Sequence, residues 1–375
     1  MKTKTFTIII ISGLITAFLF LFSIMFYINK KYSPDWRQGE ITGSEVIIRE
    51  LKSRYINQTK NKYDVYILGG SKAGFLLPST FEKYTNNHFY NFYTSVGLFS
   101  NYELFSNFLI NENAPKEIII HLSTYETYNY DDKVYIPIKM QKFFFSKVKS
   151  ILLFFKERYL NINYLNSIIQ FQNTGKLSIK QTGEINSFDS LILYNKDKES
   201  YVKQNVLHSF NEHIEELLYN EPHLQFYKKD IDTLKRIKQN CDDNNIELKV
   251  VIGAHFISAY RDEYGEDFNN YMRELVSVMG SIWNFCGIND VNKNPYNFLN
   301  EGHFWYFAGN KMIERMYAPI PNTTDLNAFG ILLTKDNIEE YIQNQKEKWQ
   351  ELKTEYETTG TIKLQGIEDE SYLGD

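Results

Sequence analysis

Apolar positions are distributed along this chain in two distinct patterns. From Phe6 to Tyr27 the sequence FTIIIISGLITAFLFLFSIMFY carries no charge, and it is long enough to supply the ~20 apolar residues with which a helix crosses a bilayer. Farther on, runs of strand length alternate with helical stretches. Tyr63 to Gly69 is the first strand, NFYTSVG ending on Gly97 the second, and EIIIHLS from Glu117 to Ser123 the third. FLLPSTFEKY and YELFSNFLINE supply the helices between them, and IELKVVIGAH and SIWNFCG follow much later, each after a helical segment. The unbroken Ile118-Ile119-Ile120 run suits a strand covered on both faces. The pattern therefore predicts an α/β fold, a doubly wound parallel sheet.

Between the third and fourth strands the alternation stops, from about residue 124 to 222. A segment of that length is seldom structureless inside a domain, so it reads as a largely helical insertion. Its stretch FFFSKVKSILLFFKERYL is apolar, aromatic and cationic together. It is either a helix packed on the core or an interfacial helix lying on a membrane. The expected organisation is a cytoplasmic tip and transmembrane anchor over 1–28, a polar connector over 29–62, the α/β domain over 63–320 and a C-terminal extension over 321–375. The polar, acidic end beyond Trp349 reads as surface.

The apolar segment follows Lys2 and Lys4 and has no small-x-small cleavage site after Phe26, so it is expected to remain as an anchor. Lys30, Lys31 and Arg37 follow it and weaken the charge asymmetry. The expected orientation is N-terminus cytoplasmic and body outside the membrane.

Composition narrows the function. The chain has 375 residues, 43% of them hydrophobic, with a formal net charge of -5. That supports a sizeable core and argues against nucleic acid as a partner. Cys241 and Cys286 form neither a zinc box nor a disulfide scaffold; at most they make one bridge. Phosphate-cradling and dinucleotide glycine motifs are absent, and no cofactor is implied. His208 and His213 lie five apart beside Glu212, a poor spacing for two metal ligands on one helical face, so no metal site is expected.

Candidate chemistry begins at DVYILGGSKAG. Gly69-Gly70 reads as a sharp turn using backbone angles closed to other residues, and it places Ser71 at a strand end as either a nucleophile or the N-cap of the next helix. A nucleophilic serine needs a base and an orienter for that base. NEGHFWYFAGNKMIERMY offers His303 just before a helix, with Asn300 three residues upstream and Glu301 as a possible alternative orienter. His255, closing KVVIGAH, reads as a structural histidine that could also compete as base or touch substrate. Lys72 reads as a solvated lysine or an anion binder.

These residues together resemble the SGNH/GDSL hydrolase superfamily: small residues then Ser71 after the first strand, Gly97 after the second, a polar residue after the third, and a box before the C-terminal helix that ends in His303. The resemblance covers roughly Tyr63 to Tyr317, the insertion excepted, and implies a flavodoxin-like sheet order. It makes Ser71 the nucleophile, His303 the base and Asn300 its orienter, with the backbone N–H groups of Ser71 and Gly97 as oxyanion donors. Three positions depart from the family pattern. Ser123, or Thr124, stands where an asparagine donor is usual, and Asn300 where an aspartate is usual. Gly70 also replaces the customary aspartate before the serine. The resemblance implies an acyl esterase or O-acyltransferase acting on an envelope or exported polysaccharide, with an acylated or acceptor saccharide and a membrane acyltransferase as partners. The departures leave a second reading, a non-catalytic assembly or acceptor-presenting factor in a polysaccharide complex. The later FGILLTKDNIEEYI, Phe329 to Ile342, looks like the closing segment of such proteins.

Overall fold

A computed structural model describes residues 2–32, 40–94, 97–123, 135–163, 177–219, 228–257, 265–319 and 325–367. The chain divides into two compact units.

One unit gathers the N-terminal segment to Tyr55 together with residues 135–181 and 185–189. Its first element is the helix Lys2–Tyr32, within which Lys4–Ile28 is long and apolar enough to cross a membrane. The expected polar connector is in fact structured. It holds the strand Glu40–Thr42 and the helix Glu45–Gln58, on which Arg49 and Glu50 are both 1% exposed. Glu50 can be buried because it accepts hydrogen bonds from Tyr135 Oη at 3.0 Å, the Ile138 amide at 2.8 Å and Arg54 Nε at 2.7 Å. The insertion is not only helical either. Ser178–Lys180 and Ile185–Ser187 pair antiparallel and extend Glu40–Thr42 into a three-stranded sheet. Gly183, at φ +92°, sits in the turn between those two strands, a conformation that glycine adopts without a Cβ clash.

The other unit is built on a six-stranded sheet. Its strands are β1 (Val65–Gly69), β2 (Phe89–Asn91), β3 (Glu117–Leu122), β4 (Glu247–Ile252), β5 (Ser281–Asn284) and β6 (Ile331–Thr334). The spatial order is β6-β5-β4-β3-β1-β2, parallel throughout except for β6. Every residue of β1, β2 and β3 is buried, which is why their sequences show apolar runs rather than alternation.

Helices α1 (Pro78–Phe81), α2 (Phe99–Asn113), α3 (Lys228–Asp243), α4 (Glu266–Met279) and α5 (Tyr306–Tyr317) accompany the sheet. The chain moves from β1 outward to β2 through α1, then reverses past β1 to β3, β4 and β5. Right-handed crossovers then put α1 on the face opposite α2, α3 and α4. The packing agrees: α3 lies between α2 and α4, and α1 packs on α5. The reversal makes the carboxyl ends of β1 and β3 the topological switch point of the sheet, the usual ligand position in open α/β sheets.

Three elements differ from expectation. The second strand forms ladder pairs only over Phe89–Asn91, although the amides of Phe92 and Thr94 still donate to Ile67 O and Gly69 O. The helix expected over FLLPSTFEKY shrinks to α1, because Leu77 before Pro78 is extended at φ -80°, ψ 119°. The C-terminal extension is an integral layer. β6 closes the sheet edge, and α6 (Ile338–Thr359) buries Trp349 and Leu352 before Gly360 ends it in the left-handed region. Cys241 and Cys286 are both buried and unbridged.

Candidate active site

Ser71 follows β1 without the unusual backbone that its two glycines suggested. Gly70 has φ -72°, and neither Gly69 nor Gly70 lies in the left-handed region. Gly69 is required by close approach instead: a Cβ there would stand 2.5 Å from Ala73 Cβ and 3.0 Å from His121 O. Ser71 is the first residue of a 3-10 turn, Ser71–Phe75, with Gly70 at the cap position, so its hydroxyl is not spent on capping. Asn91, fully buried at the end of β2, clamps this turn by donating from Nδ2 to Ala73 O at 2.7 Å and Leu76 O at 2.9 Å.

His303 arrives from the far end of the chain on a tight hairpin, Phe298–Asn300 against His303–Phe304. Phe304 is buried and packs on Phe75 at 6.1 Å and on the His121 ring at 5.7 Å. Helix α5 then presses directly on the serine turn, since a Cβ on Gly309 would lie 2.7 Å from Phe75 O. The Phe256 amide donates to Glu301 O at 3.2 Å, tying the hairpin to the end of β4.

These supports bring three side chains into line. Ser71 Oγ is 2.8 Å from His303 Nε2, and His303 Nδ1 is 3.0 Å from Asn300 Oδ1. The Asn300 atom also receives the backbone N–H groups of Gly302 at 3.0 Å and His303 at 2.9 Å. Two backbone donors aimed at one atom identify it as the amide oxygen. An oxygen that can only accept places the imidazole proton on Nδ1 and leaves the Nε2 lone pair facing the serine hydroxyl. Glu301 takes no part in this line. Its Oε1 accepts from Ser209 Oγ at 2.6 Å and lies 3.7 Å from His213 Nδ1.

Behind the line lies a group that was not legible as a cluster. Lys72 is not solvated; it is 6% exposed, and its Nζ is 2.5 Å from His255 Nε2. The two side chains face each other directly, buried together behind the line. His121, near the carboxyl end of β3, is 1% exposed, and its Nε2 meets no hydrogen-bonding partner among the described residues. Its ring fills the place a side chain on Gly253 would need, with Nε2 2.1 Å from that Cβ position. The one available signal was a histidine inside the otherwise apolar run IIIHL, Ile118 to Leu122.

The electrostatics follow from burial beside Lys72 and His255. Desolvation, then the Lys72 ammonium, then His255 push the His303 imidazole down to about 4. The same causes hold His121 at about 3. Both rings are therefore neutral at pH 7. Gly97 and Ser123 are buried, Gly97 ahead of α2 and Ser123 directly after β3; Thr124 lies outside the described residues. Among the described residues no group of three or more His, Cys, Asp or Glu side chains is placed to hold a metal. No family model matches the chain, and comparison with curated proteins gives no match.

Proposed function

We propose that the protein is a membrane-anchored serine acyl esterase or O-acyltransferase of SGNH type, acting on an envelope or exported polysaccharide from outside the cytoplasm. One observation carries the reading: the Ser71 Oγ, His303 and Asn300 Oδ1 line at the carboxyl edge of a parallel sheet. In the proposed reaction Ser71 Oγ bonds to the acyl carbonyl carbon as its proton passes to His303 Nε2. The tetrahedral oxyanion collapses, expelling the donor oxygen, which takes that proton. Water or a sugar hydroxyl then attacks the acyl-enzyme in the reverse sequence. The Ser71 and Gly97 N–H groups and the Ser123 hydroxyl are the proposed oxyanion donors, and the buried Lys72 charge favours the same anion.

A specific observation favours the non-catalytic reading as the rival. The orienter of His303 is neutral, and Lys72 opposes an imidazolium. Labelling of the intact membrane protein with a fluorophosphonate decides between them. The enzyme reading expects labelling at Ser71 that is lost in Ser71→Ala and strongly reduced in His303→Ala. A folded protein that resists the probe overturns it.

A further inference from the structure

The helix Phe144–Tyr159 carries an apolar stripe, the N-terminal part of which its own unit leaves exposed. Phe144, Val148, Ile151, Phe155 and Tyr159 succeed one another at spacings of three and four, so they share one helical face, with Phe145 and Leu152 beside them. Phe144, Phe145 and Leu152 are 73%, 84% and 63% exposed. The opposite side is already committed. Phe154 is buried against Ile47, and Ser150 Oγ donates to Ile136 O at 3.3 Å. The helical period also sets Lys147 and Arg158 along one edge of the stripe and Lys149 and Lys156 along the other. Apolar centre, cationic flanks and a seated back are the arrangement of a helix lying in a membrane interface, where lysine stems run along the apolar surface and their heads reach the phosphates.

A second observation says what covers the stripe. Phe155 and Tyr159 pack on Phe22 at 5.4 and 5.8 Å, and Tyr159 on Phe26 at 6.1 Å. Phe22 and Phe26 lie just inside Ile28, the end of the segment able to span a bilayer. At 1.5 Å per residue they sit roughly 3 to 9 Å from that end. The stripe is thus joined to the apolar segment at the depth that interfacial helices reach, about 5–10 Å. We propose that the helix Phe144–Tyr159 docks on an anionic lipid surface, its stripe among the acyl-chain ends and its four cations at the headgroups. The proposal rests on the membrane-anchor part of the functional reading, not on the serine chemistry.

Depth measurement by spin labelling tests it in the full chain. Nitroxides are placed singly at Phe145→Cys, Leu152→Cys, Ser146→Cys on the back of the helix, and Ile15→Cys within the apolar segment. Cys241 and Cys286 are buried and stay unlabelled. The protein is reconstituted in vesicles of phosphatidylcholine with phosphatidylglycerol, or of phosphatidylcholine alone. In the mixed vesicles the labels at Phe145→Cys and Leu152→Cys are expected about 5–10 Å below the phosphates, with Ser146→Cys in water. Exchanging Lys147, Lys149, Lys156 and Arg158 for glutamine should move the two face labels outward in mixed vesicles only. Face labels in water while Ile15→Cys is deep overturn the docking and leave the anchor standing. Face labels at depth with Ile15→Cys in water remove the anchor and overturn the proposed joined arrangement. All labels in water overturn both. Labels immobilised without contact to lipid identify a protein partner and overturn the proposal, and equal depth in both vesicles overturns its anionic preference.

Discussion

Replacing Asn300 by aspartate changes one atom and adds a charge where the structure makes its effect calculable. The Asn300 oxygen is 3.0 Å from His303 Nδ1. A unit charge at that separation interacts with an imidazolium by about 1.4 kcal/mol in water and about 5.5 kcal/mol at an effective dielectric of 20. Asn300 is exposed, so the effect belongs toward the lower end. About 2 pKa units is the expected shift, carrying His303 from about 4 toward about 6. The two backbone donors from Gly302 and His303 remain to hold the new carboxylate ionised. NMR titration of the His303 ring measures this directly, whether or not the protein turns over a substrate. The acid limb of acetyl-ester hydrolysis should move upward with it, with the plateau held or raised. Asn300→Leu removes the acceptor and frees the wrong tautomer, a loss approaching ~10⁴-fold. Glu301→Gln should be mild, because that carboxylate faces Ser209. An unmoved His303 pKa in Asn300→Asp, or Glu301→Gln as the most damaging change, would refute the orienter assignment.

Three further outcomes follow from the same geometry. Lys72→Met should raise the His303 pKa; because burial outranks Lys72 among the causes, the rise from about 4 should not exceed about 1 unit in the same titration. A fall would show that the ammonium does not face the imidazole. Gly309→Ala improves intrinsic helix propensity by ~1 kcal/mol, yet its Cβ would meet Phe75 O at 2.7 Å. It should therefore lower stability by ~1–3 kcal/mol and weaken Ser71 labelling, and a raised Tm would contradict the close packing of α5 on the serine turn. His121, held near 3, is neutral when folded and protonates once unfolded, so its stabilisation is complete above pH about 6.5 and is lost as pH falls toward 3. Denaturant titrations should lose about 1.4 kcal/mol per pH unit from this ring in that window, and His121→Gln should flatten the slope. An unchanged slope would mean that His121 is not the buried titrating group.

Much of the sheet was legible in the sequence because strands covered on both faces are mostly apolar rather than alternating. VYILG and EIIIHL announce themselves locally, as does the uncharged segment before Tyr27. The edges were less legible. β2 pairs only over Phe89–Asn91, with the Asn91 side chain turned to clamp the serine loop, and β6 is held only by its antiparallel pairing with β5. Ser71, His303 and Asn300 could be singled out from their places at a strand end and before a helix, yet their alignment over more than two hundred residues of chain could not.

Lys72 shows the division most clearly. By itself it is an ordinary lysine beside a glycine-rich turn, which favours a solvated reading. Its burial against His255 depends on where β4 ends relative to β1, a relation between strands that are not even neighbours in the sheet. The sequence by itself determined the elements whose signal is local: the apolar segment, the buried strands and the serine at a strand end. Only the tertiary structure decided which of the remaining polar residues were drawn inward and faced one another. Local periodicity reports how a residue meets its own element, whereas hydrogen-bond partners and desolvation are set by elements that the chain brings together from far apart.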